Sequence, residues 1–227
     1  MFVTTNNKIG FIHVPKCGGT SVFKSFDALG RNDRGNPWSP WSIYKTHTSF
    51  GQIWPEKIPK DFRGFPGPEQ WFTSVRNPYA RYHTWYYFAM EWTKKRLSGE
   101  LPLKGSTEEQ IRFGIKFLEE QGPKGVLKKL HEFEGDRSKI SQFKLGNIYN
   151  PQVNWFQGCY NCKIFKLEQI ELMWEWLKSL GCPVEYTHAK KTSSKVGTWH
   201  DFDEETLVLI QKRYERDFRE LDYPMVV

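Results

Sequence analysis

Residues 15–21 read Pro-Lys-Cys-Gly-Gly-Thr-Ser, and residue types in that order suit the binding of an anion. Gly18 and Gly19 let the backbone approach a ligand closely and turn several N–H groups toward one point. Thr20 or Ser21 can cap a helix, whose N-terminus adds orphan N–H groups and a favourable dipole. Lys16 contributes a mobile positive charge, and Thr20 and Ser21 contribute hydroxyl donors. A second anion-binding pattern lies at residues 74–86, SVRNPYARYHTWY. There Arg76 ends an apolar run just before a helix that Pro78 can open, and a guanidinium so placed can grip a phosphate through two parallel hydrogen bonds. Arg81, by contrast, reads as a structural ion-pair partner.

Proton chemistry has one leading candidate. His47, within residues 44–50 (YKTHTSF), has an ordinary pKa of about 6.5 and can accept a proton near neutral pH. His13 reads as a packed strand residue and His83 as a contact to nucleotide or core, while Glu56 is a carboxylate alternative. The lysine of the first motif precedes its glycines, which differs from the GxxxxGK[ST] loop of metal-assisted nucleotide hydrolysis. We find no Asp at a strand end suited to magnesium, so the expectation is that no metal is required. Cys159-x-x-Cys162 precedes an expected strand, whereas a redox motif of this spacing follows one. Ordinary thiols in a turn are the reading there, with a disulfide as the alternative.

These residues need a scaffold, and the pattern of the chain supplies one. Residues 8–14 (KIGFIHV), 42–47 (SIYKTH), 70–75 (QWFTSV) and 162–167 (CKIFKL) read as strands. Helices are expected from Thr20 or Ser21 to about Leu29, from Pro78 to about Leu97, and from a capping box at Ser106 and Glu109 to about Glu120. Others are expected over residues 123–133, through Ile170, Met173, Trp174 and Leu177 to Leu180, and from near Asp201 to Leu221. Strands alternating with helices predict an α/β fold with a central parallel sheet flanked by helices, and the length of 227 residues fits one domain spanning 1–227. Trp71, Trp85 and Trp92 are at spacings that favour the core over a purine platform.

At the level of motifs, the chain resembles the sulfotransferases that use 3′-phosphoadenosine 5′-phosphosulfate (PAPS). IHVPKCGGTS is similar to the 5′-phosphosulfate loop of the carbohydrate branch, the heparan and chondroitin type, which carries PKTGGTS; Cys17 replaces its threonine. SVRNPYARYHTWY resembles the 3′-phosphate motif VRDPxxRxxSxY, with Arg76 on the phosphate and Thr84 where the family has serine. Residues 150–156 (NPQVNWF) resemble a segment near the acceptor, and residues 193–199 (SSKVGTW) resemble a loop that folds over the nucleotide. The resemblance implies a P-loop-like three-layer fold and cofactor contacts from Lys16, Cys17, Gly18, Gly19, Thr20, Ser21, Arg76, Thr84, Ser194 and Lys195. It implies PAPS as donor, PAP as product, a hydroxyl-bearing saccharide as acceptor, Lys16 at the leaving oxygen and His47 as general base. Sulfuryl transfer is by analogy an in-line displacement whose charge spreads over peripheral oxygens.

Composition bounds the alternatives. A net charge of +7 attracts polyanions without choosing among them. It keeps open a non-catalytic protein that binds polyanions or nucleotide, alongside a P-loop kinase acting on a small molecule. No dense Lys/Arg arm marks a nucleic-acid partner. Neither a signal peptide nor a transmembrane stretch is read, so the expected setting is cytoplasmic.

Overall fold

A computed structural model describes residues 1–31, 33, 35–42, 67–103, 107–134, 136, 146–187 and 197–226. In chain order the elements begin β1 (Phe2–Thr4), β2 (Ile9–Ile12), α1 (Gly19–Asp27), β3 (Pro40–Ser42), β4 (Gln70–Val75) and α2 (Pro78–Leu97). Next come α3 (Glu108–Glu132), α4 (Gly146–Tyr149), α5 (Val153–Phe156), β5 (Cys162–Lys166) and α6 (Ile170–Ser179). The last two are α7 (Glu204–Arg213) and α8 (Glu215–Glu220). The chain divides into two compact units, one of Met1–Asn77 with Gln152–Lys191 and one of Pro78–Pro151 with Thr192–Val227. Among the described residues, no helix is long and apolar enough to cross a membrane.

The first unit is built on a five-stranded sheet of order β3-β1-β2-β4-β5. β2, β4 and β5 run parallel, with Phe11 opposite Phe72 and Thr73 opposite Ile164. β1 pairs antiparallel with both β2 and β3, so the sheet is mixed, not wholly parallel as the alternation of elements suggests. The reason is the short connection at residues 5–8, which contains Asn7 at φ 58°. A tight turn joins only antiparallel strands, whereas a parallel pair needs a crossover. On the core side, Phe2, Phe11, Phe26 and Phe72 are fully buried and pack ring against ring, joined by Met173 and Leu177 of α6. Each such side chain contributes about 1.5–3 kcal/mol on burial. The parallel strands place their C-terminal ends on one edge, the side where open α/β sheets bind ligands.

The second unit is helical. Thr107 and Gln110 form the capping box that opens α3, one residue beyond the box expected from Ser106, which lies outside the described residues. α3 breaks at Gly122, φ 61°, just before Pro123, so the two helices expected on either side meet there. Pro123 has no N–H to give, and buried tyrosines serve the nearby carbonyls: the Tyr86 hydroxyl donates to Leu118 O at 2.8 Å and the Tyr82 hydroxyl to Pro123 O at 2.7 Å. Burial pushes the Tyr86 phenol up to about 12 and raises that of Tyr82 as well. Arg81 is buried on α2 with Asp217 Oδ2 at 3.9 Å, Asn150 O at 3.2 Å and the Tyr214 ring at 5.8 Å, the structural role its position suggests. The C-terminal helix expected as one piece is interrupted at Tyr214, whose hydroxyl donates to Ile148 O at 2.8 Å.

Candidate functional site

The edge formed by β2, β4 and β5 gathers the principal sequence motifs of the first unit. After β2 the chain turns through residues 13–18 into α1, with Lys16 at φ 68° and Gly18 at φ 80°. Gly18 is the N-cap of α1 and makes no side-chain capping bond, and no acidic residue stands in the first turn. A helix start of this kind leaves its first N–H groups without intrahelical partners and favours negative charge. Across residues 15–21 the side chains supply donors and a cation but no carboxylate. That donor set fits a phosphate or sulfate group.

Two glycines stand where an added side chain would be crowded. A Cβ at Gly18 would lie 2.7 Å from Leu167 Cδ1, at the end of β5, and its positive φ disfavours a side chain in any case. A Cβ at Gly19 would fall 2.0 Å from Cδ2 of His13. His13 follows β2 directly, and its ring packs against Phe11 and Phe23. Its imidazole therefore shapes the loop from beneath, in keeping with its reading as a packed residue.

Arg76 follows β4, the parallel neighbour of β2. Several hydrogen bonds tie this strand end to the loop. The Ser74 hydroxyl donates to Cys17 O at 2.5 Å, and Thr73 Oγ1 donates to Ile12 O at 2.8 Å. The Cys17 thiol, fully buried, donates to Gln152 Oε1 at 2.9 Å. The same Oε1 accepts from the Arg76 N–H at 2.8 Å, while Gln152 Nε2 donates to Arg76 O at 2.7 Å. The Asn77 N–H donates to Glu168 Oε1 at 2.8 Å, which brings in the end of β5. Lys16, Cys17, Gly18, Gly19, Thr20, Ser21 and Arg76 thus belong to one strand-end cluster.

Thr84 is half-buried on α2, in the second unit. His47, Ser194, Lys195 and Glu56 lie outside the described residues. His83 is buried on α2 between the rings of Tyr87 and Phe202, the core placement among its two readings. Trp71 and Trp85 are buried, and Trp92 stacks on Phe88. Cys159 and Cys162 are free thiols hydrogen-bonded to each other, which lowers the pKa of Cys159 and raises that of Cys162.

Gln152 was not identified by its role from sequence. The segment around it stood out, through NPQVNWF, but as an acceptor-side feature. A glutamine with 0% exposure is the signal that matters, because a buried amide must find partners for both its ends. No family model matches the chain, and no match emerges among curated proteins or solved structures. The functional reading therefore rests on the motifs and on the cluster they form.

Proposed function

We propose that this protein is a sulfotransferase that moves the sulfuryl group of PAPS to an acceptor hydroxyl, with carbohydrate as the acceptor class. The observation that carries the reading is the meeting of two anion-binding features at one sheet edge. A glycine-bent loop ends β2, and Arg76 ends the adjacent parallel strand, with Cys17 and Ser74 bonded directly between them. Two phosphate-gripping elements side by side suit a nucleotide that carries both a 5′ and a 3′ phosphate. A P-loop-like fold goes with this reading, supported by the parallel β2–β4–β5 core and the turn from β2 into α1.

PAPS would supply an activated sulfuryl group whose leaving group is already a stable phosphate. In this reading the backbone N–H groups of residues 17–20 and the hydroxyls of Thr20 and Ser21 hold the 5′ side. Lys16 neutralises charge at the leaving oxygen, and Arg76 takes the 3′-phosphate. Donors aimed in advance at such oxygens stabilise the transition state without reorganising. His47 serves as the base that removes the acceptor's proton.

Calorimetry with adenosine 3′,5′-bisphosphate in metal-free buffer tests the site. Saturable binding is expected, weakened about a hundredfold in Arg76→Ala, the order expected for loss of a charge-assisted contact. Equal binding of AMP would remove the 3′-phosphate assignment. With labelled PAPS and a panel of saccharides, His47→Ala should lose transfer while keeping bisphosphate affinity; unchanged turnover would reject His47 as the base.

A further inference from the structure

We infer that Gln152 is a positioning residue that sets the spacing between the two phosphate grips, and that the Cys17 side chain is its partner rather than a ligand contact. The functional meaning of this inference rests on the nucleotide reading above; its geometry does not. Gln152 Oε1 lies between two donors, the Cys17 thiol at 2.9 Å and the Arg76 N–H at 2.8 Å, while Nε2 reaches the Arg76 carbonyl at 2.7 Å. This pattern defines the amide's orientation. A flipped amide would set Nε2 against the Arg76 N–H and Oε1 against its carbonyl, donor against donor and acceptor against acceptor.

The clamp has a second strand. Cys17 is bonded through its side chain to Gln152, and through its carbonyl to the Ser74 hydroxyl at 2.5 Å. Both ties from Cys17 reach one strand end, the first by way of Gln152 to the Arg76 backbone and the second at Ser74, so hydrogen bonds hold the loop to that strand end. This accounts for the residue that departs from the PKTGGTS pattern. At position 17 the fold needs a small, fully buried side chain that can donate one hydrogen bond, and a thiol provides it as a hydroxyl would. A ligand with two anionic groups at fixed separation is what such a rigid pair selects.

Affinities for adenosine 3′,5′-bisphosphate and for AMP, measured by calorimetry on the full chain, give the preference that the clamp controls. Gln152→Met, similar in volume and without the amide, should cut the bisphosphate preference about tenfold, within the range of coupled buried contacts. Cys17→Ala should reduce it too, Cys17→Ser should restore it, and the double variant should lose no more than Gln152→Met alone. Additive losses, or an unchanged preference, would overturn the clamp. Should Gln152→Met fail to fold, the Cys17→Ala and Cys17→Ser pair decides the matter. If the wild type shows no preference for the bisphosphate, the nucleotide reading fails, and the clamp is judged by amide exchange alone. The Arg76 amide should then exchange faster in Gln152→Met at equal thermal midpoint; unchanged exchange would reject the hydrogen-bond network itself.

Discussion

Two arginines close in sequence, Arg76 and Arg81, are tied into their units differently: the bonds from Gln152 reach the Arg76 backbone, whereas Asp217 and Asn150 meet the Arg81 guanidinium. Arg81, only 1% exposed, has its guanidinium enclosed by Asp217, the Asn150 carbonyl and the Tyr214 ring. Arg76 is half-buried, and the bonds from Gln152 reach its backbone. In the helical unit a polar network closes on itself and secures the fold. In the sheet unit a polar network joins the backbone of a strand end to the loop beside it. A guanidinium out of water must be paired where it sits, and the function proposed above gives the half-buried Arg76 a ligand phosphate as a partner.

The contrast is most easily broken at Asp217. Asp217→Ala removes the carboxylate from a buried guanidinium and should cost about 3–5 kcal/mol of stability. Urea denaturation reads this directly, and a loss below about 1 kcal/mol would make the pair incidental to the fold. Gly18→Ala probes the other unit: with φ 80° and Leu167 Cδ1 at 2.7 Å from the new Cβ, it should cost about 1–3 kcal/mol. Wild-type stability in that variant would mean that the loop can rearrange. Arg76→Ala should cost less than Asp217→Ala, about 1 kcal/mol, the ordinary cost of a point substitution, despite its effect on ligand. A large destabilisation would place Arg76 beside Arg81 and erase the distinction.

The smallest expected effect is electrostatic. Hydrogen bonds from the Thr206 hydroxyl, then Lys124, then the Thr206 N–H lower the Asp203 carboxyl from 3.8 to about 2. A carboxylate depressed by folding adds stability above its unfolded pKa and loses it as pH falls through the folded one. Asp203→Asn should therefore lower the melting temperature slightly at neutral pH, and the gap should close as pH falls from about 4 toward 2. A gap that persists in acid would assign the effect to geometry at the cap of α7 rather than to charge.

Much of the scaffold was legible where local signals were strong. β4 over Gln70–Val75 and α2 over Pro78–Leu97 coincide with the expected ranges, because an apolar run and a helix-opening proline mark them. β1 was not legible, since three residues show no period, and with it went the mixed character of the sheet. The break at Tyr214 is hidden for another reason. The apolar stripe of Ile210, Tyr214 and Phe218 continues through it, and the contacts that accompany the interruption, the Ile148 carbonyl and the Arg81 guanidinium, are distant in sequence. At the site, the loop and Arg76 could be read from residue type and spacing. Gln152 could not, because its role depends on bringing together positions 17, 76 and 152, and a linear pattern gives no hint of that meeting.

Lys16 deserves one last consequence. Its φ of 68° is a conformation that costs a residue with a side chain roughly 1–2 kcal/mol. Folding has already met that cost, so an anion arriving at the loop encounters a shape adopted in advance. Preorganisation of this kind lowers the entropy lost on association. Under the function proposed above, the turn at Lys16 itself then needs no rearrangement to meet the 5′ group of the donor.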